Sequence, residues 1–132
     1  MISVMIPAYN EQKNLELTVK NVIEAAGNAG KPIIEIIIVN DASTDETGVI
    51  ADRIASAHAF VSVIHNSTNQ GIGSGFRTAL RVAKYPKYMI VAGDNDIPAD
   101  LMTVMMKHHD RADVILGYWL NKEDRGKKRN VL

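Results

Sequence analysis

Short apolar runs alternate with stretches of helical periodicity along most of the chain. Ile2–Ile6 is short, rich in branched residues and followed by Pro7, which predicts a strand ended by that proline. Leu15, Val19, Val22, Ile23 and Ala26 then recur at helical spacing and predict a helix over 11–28, closed near Gly27 or Gly30. Ile33–Val39 is apolar at every position except Glu35, as befits a strand covered on both faces. Ile50, Ile54 and Ala57 mark a second helix behind Thr44 and Asp45, and Phe60–Ile64 a third strand. Ile72, Phe76, Ala79, Leu80 and Ala83 outline a third helix, and Tyr88–Ala92 a fourth strand. Pro98 suits the first turn of a fourth helix that contains Leu101, Val104, Met105 and His108. Val114–Gly117 reads as a fifth strand.

Four β-α units followed by a strand predict an α/β fold: a mostly parallel sheet with helices on both faces and right-handed crossovers. Ligands of such sheets bind at the carboxyl ends of the strands. Four loops fall there, Pro7–Asn14, Asn40–Thr47, His65–Gly75 and Gly93–Pro98, and they hold the polar segments whose composition calls for an explanation. Beyond Tyr118 the periodicity stops. The closing NKEDRGKKRNVL carries five basic and two acidic residues and does not end like a finished domain, so the 132 residues are expected to be part of a longer chain.

Composition narrows the chemistry. The chain is 46% hydrophobic and 23% charged, an ordinary globular balance. Fifteen basic residues match fifteen acidic ones, so there is no general electrostatic case for nucleic-acid binding. The absence of Cys excludes a disulfide framework, a zinc-thiolate site and a Cys nucleophile. No apolar run reaches the roughly 18 residues of a membrane span. The opening MISVMIPAYNE has neither a basic segment nor a cleavage site of the secretory kind. The four His form no ligand set, and no Ser/His/Asp signature occurs.

Asp94 and Asp96 follow the fourth strand, one residue apart. Two carboxylates so placed repel each other unless a cation lies between them. Mg²⁺ or Mn²⁺ fits, since both favour carboxylate oxygens together with substrate phosphates. The competing reading is a solvated turn in which Asp96 caps the next helix. Asp41 follows the second strand and can accept an N–H from a nucleobase or a hydroxyl from a ribose, while Ser43, Thr44 or Asp45 caps the helix behind it. After the first strand, Tyr9 can stack on a base and Glu11 can hydrogen-bond to it, beside Asn10 as a helix cap. The glycines of Asn69–Gly75 do not have the spacing of a dinucleotide or P-loop fingerprint. They read better as the start of a helix packed closely on the sheet.

Four segments, SVMIPAYNEQKNL, IIIVNDASTDET, NQGIGSGFRTAL and VAGDNDIP, come in order at the predicted strand ends. Together they resemble the N-terminal, nucleotide-sugar-binding half of family 2 glycosyltransferases of the GT-A fold, over about residues 2–120. GYWLNKEDRGKKRNVL is similar to the following segment of polyprenyl-phosphate enzymes, the dolichol-phosphate mannose synthase relatives among them. Asn40 stands where many relatives have a first Asp, and Trp119 near where dolichol-type enzymes often have Arg.

The resemblance implies that residues 1–120 form the nucleotide-sugar domain and that 121–132 lead into an acceptor half beyond this sequence. It implies that Pro7, Tyr9, Glu11, Val39 and Asp41 line the nucleotide pocket, with Asp41 on the base. Asp94 and Asp96 would be the catalytic Asp-x-Asp pair that holds Mg²⁺ or Mn²⁺ and the diphosphate of a UDP- or GDP-sugar, and Arg125 and Arg129 would contact phosphate. A lipid-phosphate acceptor, a cytoplasmic location at the face of a membrane, and a fragment inactive on its own follow from the same likeness. Apolar surface left bare by a missing half would drive pairing between copies. An alcohol acceptor needs a general base, for which these residues offer no clear candidate, whereas a phosphate acceptor is already anionic. Two rival readings fit less well. A nucleotidyltransferase generally has a glycine-rich basic loop after its first strand, where this chain has PAYNE. A receiver-like signalling domain needs an Asp after its third strand, where His65 stands.

Overall fold

The computed structural model describes residues 1–30 and 34–117. Four βα units follow one another: β1 (Ile2–Ala8), α1 (Leu15–Asn28), β2 (Ile34–Asn40), α2 (Thr47–Ala57), β3 (Val61–His65), α3 (Gly71–Val82), β4 (Lys87–Ile90) and α4 (Ala99–Lys107). The strands form one parallel sheet in the order β3-β2-β1-β4. The order reverses between β1 and β4, and that switch point is where such sheets open a crevice.

The register Val4↔Ile36, Met5↔Ile37, Ile6↔Ile38 sends alternate side chains of the two central strands to opposite faces. Val4, Ile6, Ile36 and Ile38 pack with Leu15, Val19 and Val22 of α1, Ala51 and Ile54 of α2, and Met102 and Met106 of α4. Met5, Ile37 and Val39 form a smaller cluster with Ala79 and Phe76 of α3. Every residue of β2 is buried. Each of its isoleucines contributes about 1.5–3 kcal/mol by leaving water. Glu35 is accommodated in this strand because it is paired: its Oε2 accepts Ser3 Oγ at 2.7 Å and the Lys84 N–H at 2.8 Å. Burial, with the Glu35 charge second, pushes the neighbouring Tyr88 hydroxyl up to about 12.

Three expectations need correction. First, β1 runs through Pro7 to Ala8 in the middle of the sheet. In a parallel strand the N–H and C=O of one residue face the same neighbour. Pro7 C=O accepts Gly93 N–H, so its missing N–H also falls on the β4 side, beyond the last regular β1–β4 pair, Met5↔Ile90. No β1–β2 bond is lost. Second, α1 starts at Leu15, four residues after Glu11. The N–H groups of Glu11 and Gln12 are taken by Thr47 Oγ1 and Asp45 Oδ2 of the neighbouring loop, at 2.8 and 3.3 Å. The helix closes at Gly30, whose φ of 68° is the left-handed turn expected there. Third, 114–117 is not a strand. A Cβ on Gly117 would stand 3.5–3.7 Å from Met105 and Leu101, so this segment runs over α4, with Val114 and Leu116 largely exposed. Tyr118, Trp119 and the whole 121–132 tail, Arg125 and Arg129 included, lie outside the described residues.

The glycine-rich segment does start a closely packed helix. A Cβ on Gly75 would lie 3.0 Å from Met5 Cε and 3.3 Å from Val39 Cγ1, so α3 approaches the sheet through its small residues.

Candidate functional site

The loops after β1, β2 and β4 each contain a non-glycine residue with positive φ: Asn10 at 55°, Ala42 at 60° and Asn95 at 59°. Such conformations cost energy and persist where surrounding contacts over-determine them. The first two loops are stitched together. Thr44 N–H donates to Asn10 Oδ1 at 2.8 Å, Asn10 N–H to Ser43 Oγ at 3.1 Å, and Glu46 N–H to Gln12 Oε1 at 3.1 Å. Asn10 therefore bridges loops and does not cap α1. Asp45 Oδ1 accepts Thr47 N–H at the start of α2, as the sequence suggested for this segment. Burial raises the Asp45 carboxyl, but its bonds from the Thr47 hydroxyl and from the N–H groups of Thr47 and Gln12 outweigh this and hold it below the usual range. Asn40 Oδ1 accepts Ser43 N–H, and its Nδ2 lies 3.0 Å from His65 Nδ1, so both residues have structural partners.

Ala42 has no polar side chain to offset its left-handed backbone. Ala42→Gly is expected to stabilise the fold by about 1 kcal/mol. The check is a urea unfolding midpoint that rises at unchanged slope.

Asp41 is buried at the end of β2. Its Oδ1 accepts Asn66 Nδ2 at 2.7 Å and the Gln70 N–H at 2.9 Å, and its Oδ2 accepts the Gly71 N–H at 2.8 Å. Burial pushes the carboxyl up, yet these three bonds together hold it below the usual carboxylate range. The carboxylate thus caps α3 from another strand, and it occupies the anion-binding position at that helix N-terminus. The glycines of α3 are consequently no cradle for a second anion.

A cavity of about 290 Å³ opens at the switch point. Pro7, Tyr9, Glu11, Val39, Asp41 and Asp94 all line it, joined by Asn69, Gly71, Ile72, Gly75 and Gly93. Six positions separated by up to 87 residues in sequence are thereby brought to one crevice with a carboxylate at the β2 side and another at the β4 side. Gly93 is required at its position, since a Cβ there would fall 2.9 Å from Pro7 O.

Asp94 and Asp96 share one turn, in which Asp94 Oδ1 accepts the Asp96 N–H at 3.1 Å. They do not line the same space. Asp94 faces the crevice, whereas Asp96 lines a second, larger groove of about 1050 Å³ between β4, α4 and the 112–117 segment. Among the described residues no group of three or more His, Asp or Glu side chains comes together as a metal site. Two hard carboxylates suit Mg²⁺ or Mn²⁺ when phosphate and water supply the rest of the shell. The donor set of this turn therefore fits a cation that arrives with a diphosphate.

Thr18 and Asn21 of α1, which carried no motif, also reach this turn: Thr18 Oγ1 lies 3.0 Å from Gly93 O, and Asn21 Nδ2 lies 2.8 Å from Asn95 Oδ1. The one available signal was that both interrupt an otherwise apolar helix face.

A parallel α/β sheet with an acid-lined crevice at its switch point is the architecture in which such sheets bind ligands. The comparisons carry this to a family. The model of glycosyl transferase family 2 matches residues 3–131, and the chain belongs to that family. It is 33% identical over 119 residues to the polyprenol monophosphomannose synthase of Mycolicibacterium smegmatis, covering 86% of this chain and 43% of that one. It is 29% identical over 126 residues to the glycosyltransferase GlyG of Streptococcus pneumoniae, covering 94% of this chain and 40% of that one. Among solved structures, the mannosyltransferase PcManGT of Pyrobaculum calidifontis in complex with GDP-Man and Mn²⁺ superimposes with a TM-score of 0.66 at 26% identity, over 83% of this chain and 32% of that one. Staphylococcus aureus TarS 1-349 in complex with UDP-GlcNAc gives 0.60 at 26% identity, over 70% and 26% of the two chains. The chain spans less than half the length of these curated relatives.

Proposed function

We propose that this chain is the donor-binding domain of a metal-dependent glycosyltransferase that moves a sugar from a nucleoside diphosphate to a polyprenyl phosphate. The observation that carries the reading is the crevice. Tyr9, Glu11, Asp41 and Asp94 reach one cavity from three loops, and the apolar Pro7 and Val39 line it with them. Tyr9 stacks on the base, Asp41 accepts its N–H, and Asp94 and Asp96 of one turn are the residues that would hold Mn²⁺ or Mg²⁺ with the diphosphate. The complex of PcManGT with GDP-Man and Mn²⁺ supports both the donor class and the metal.

In the reaction, the bond between the sugar C1 and the diphosphate oxygen breaks and its electron pair leaves with the nucleoside diphosphate. An acceptor phosphate oxygen forms the new bond to C1. A cation held by these residues would supply electrostatic stabilisation of charge developing on the leaving group. The chain's own residues orient the donor and keep the base and diphosphate in register. A phosphate acceptor is anionic at neutral pH and needs no proton removed. The names of the Mycolicibacterium enzyme and of the undecaprenyl-phosphate mannosyltransferase of Micrococcus luteus, 30% identical over 117 residues, support a lipid-phosphate acceptor. No helix among the described residues is long and apolar enough to cross a membrane. In this reading the basic 121–132 segment, with Arg125 and Arg129, meets phosphate at the cytoplasmic membrane face.

Titration calorimetry of GDP and UDP, each with and without Mn²⁺, tests the proposal. Binding of at least one nucleotide is expected to tighten when Mn²⁺ is present. Equal affinity with and without the ion rules out the metal assignment, and no binding of either nucleotide rules out the donor site.

A further inference from the structure

The acidic turn is held from outside, by α1. Thr18 is fully buried and its hydroxyl lies 3.0 Å from Gly93 C=O and 3.1 Å from Asn14 C=O. One turn further along the same helix face, Asn21 Nδ2 donates to Asn95 Oδ1 at 2.8 Å. The other side of the turn is tied to β1, where the Gly93 N–H donates to Pro7 O at 3.1 Å. Between these anchors Asn95 adopts a left-handed backbone at φ 59°.

The geometry points to Thr18 and Asn21 as positioning residues for metal-supported diphosphate binding: they hold the Gly93–Asn95 backbone so that the Asp94 carboxylate faces the crevice while Asp96 opens onto the adjoining groove. Neither lines the crevice, so their effect passes through the turn. The inference rests on the assignment of Asp94 and Asp96 to the metal. Its physical basis is that ligand-bearing turns are set by the groups hydrogen-bonded behind them, and loss of such a group typically costs about 10–100-fold in metal affinity or activity. α1 also follows directly on the loop of Tyr9 and Glu11. One helix therefore fixes the spacing between the base end and the diphosphate end of the crevice.

The test uses this chain and compares the Kd of GDP with and without Mn²⁺, alongside the melting temperature, in four variants. Thr18→Val removes the hydroxyl at nearly constant volume, and Thr18→Ser restores it. Asn21→Ala removes the amide at a partly exposed position that the fold tolerates. Asn95→Gly keeps the left-handed turn but deletes the acceptor. Thr18→Val and Asn21→Ala are each expected to cut the Mn²⁺ enhancement about tenfold, with metal-free affinity within about twofold of the unaltered chain. Thr18→Ser keeps the enhancement, and Asn21→Ala has no added effect once Asn95→Gly is present. Equal losses with and without Mn²⁺, or an enhancement untouched in both variants, overturn the inference. Asp94→Asn in the same assay separates the two levels. If it leaves the enhancement intact, the metal assignment falls and the inference with it. If it removes the enhancement while Thr18→Val and Asn21→Ala do not, only the inference falls.

Discussion

Asp94→Asn is expected to remove most of the Mn²⁺-supported affinity for a nucleoside diphosphate while leaving metal-free binding nearly unchanged. Asn retains an Oδ1 that can accept the Asp96 N–H, so this 3.1 Å bond of the turn can be kept. What disappears is a negative charge at the wall of the crevice. Under the proposed function, loss of one such electrostatic element costs about 3 kcal/mol, a hundredfold or more in rate. Asp96→Asn is expected to have a smaller effect on nucleotide binding, about tenfold, because Asp96 is exposed and lines the adjoining groove. Calorimetry on the two variants, with and without Mn²⁺, checks the order. A larger loss for Asp96 would mean that the cation sits on the groove side of the turn.

Asp41→Asn is expected to damage stability and nucleotide binding together. The carboxylate accepts three donors, Asn66 Nδ2 and the N–H groups of Gln70 and Gly71. An amide offers one oxygen in place of two and turns an NH₂ group towards a donor. At least one buried donor then loses its partner, at about 1–3 kcal/mol, and the α3 N-terminus loses its anion, worth up to about 1 kcal/mol more. A total near 3 kcal/mol corresponds to a fall in Tm of about 10 °C for a domain of this size. Affinity for the nucleotide should drop equally with and without Mn²⁺, since the proposed function gives Asp41 to the base and not to the metal.

The pH dependence follows from the sign of the shift. The folded Asp41 carboxyl titrates below its unfolded value, so its contribution is complete above the unfolded pKa of about 3.9 and is lost as pH falls through the folded value. Asp45 is shifted in the same direction. Urea unfolding at pH 7 and pH 3 should show the unaltered chain losing more stability in acid than Asp41→Asn. Parallel losses would place the acid sensitivity elsewhere.

Particular residues mark what could be read without coordinates. The run IIEIIIV suits a strand covered on both faces, and β2 is buried at all seven positions. The spacing of Leu15, Val19 and Val22 placed α1, because that period sets one face of a helix against a sheet. Asp41, Tyr9, Glu11 and Asp94 were singled out as polar residues just past apolar strands, and the crevice gathers them. Periodicity failed at 114–117 because an extended apolar segment carries no record of whether a partner strand lies beside it. It failed at Pro7 because the cost of a missing N–H depends on which neighbour that group would face.

The sequence by itself determined the alternation of elements, the two-sided burial of the central strands and the chemistry of the loop residues. Each of these depends on neighbours close along the chain or on side-chain type alone. Only the tertiary structure decided that Asp41 caps α3, that Asp94 and Asp96 open onto different spaces, and that Thr18 and Asn21 hold the acidic turn. The Thr18–Gly93 and Asn21–Asn95 contacts span 75 and 74 residues, and Asp41 meets Gly71 across 30. Single hydrogen bonds at such separations leave no periodic trace, because they are set by where the sheet order folds the chain back on itself.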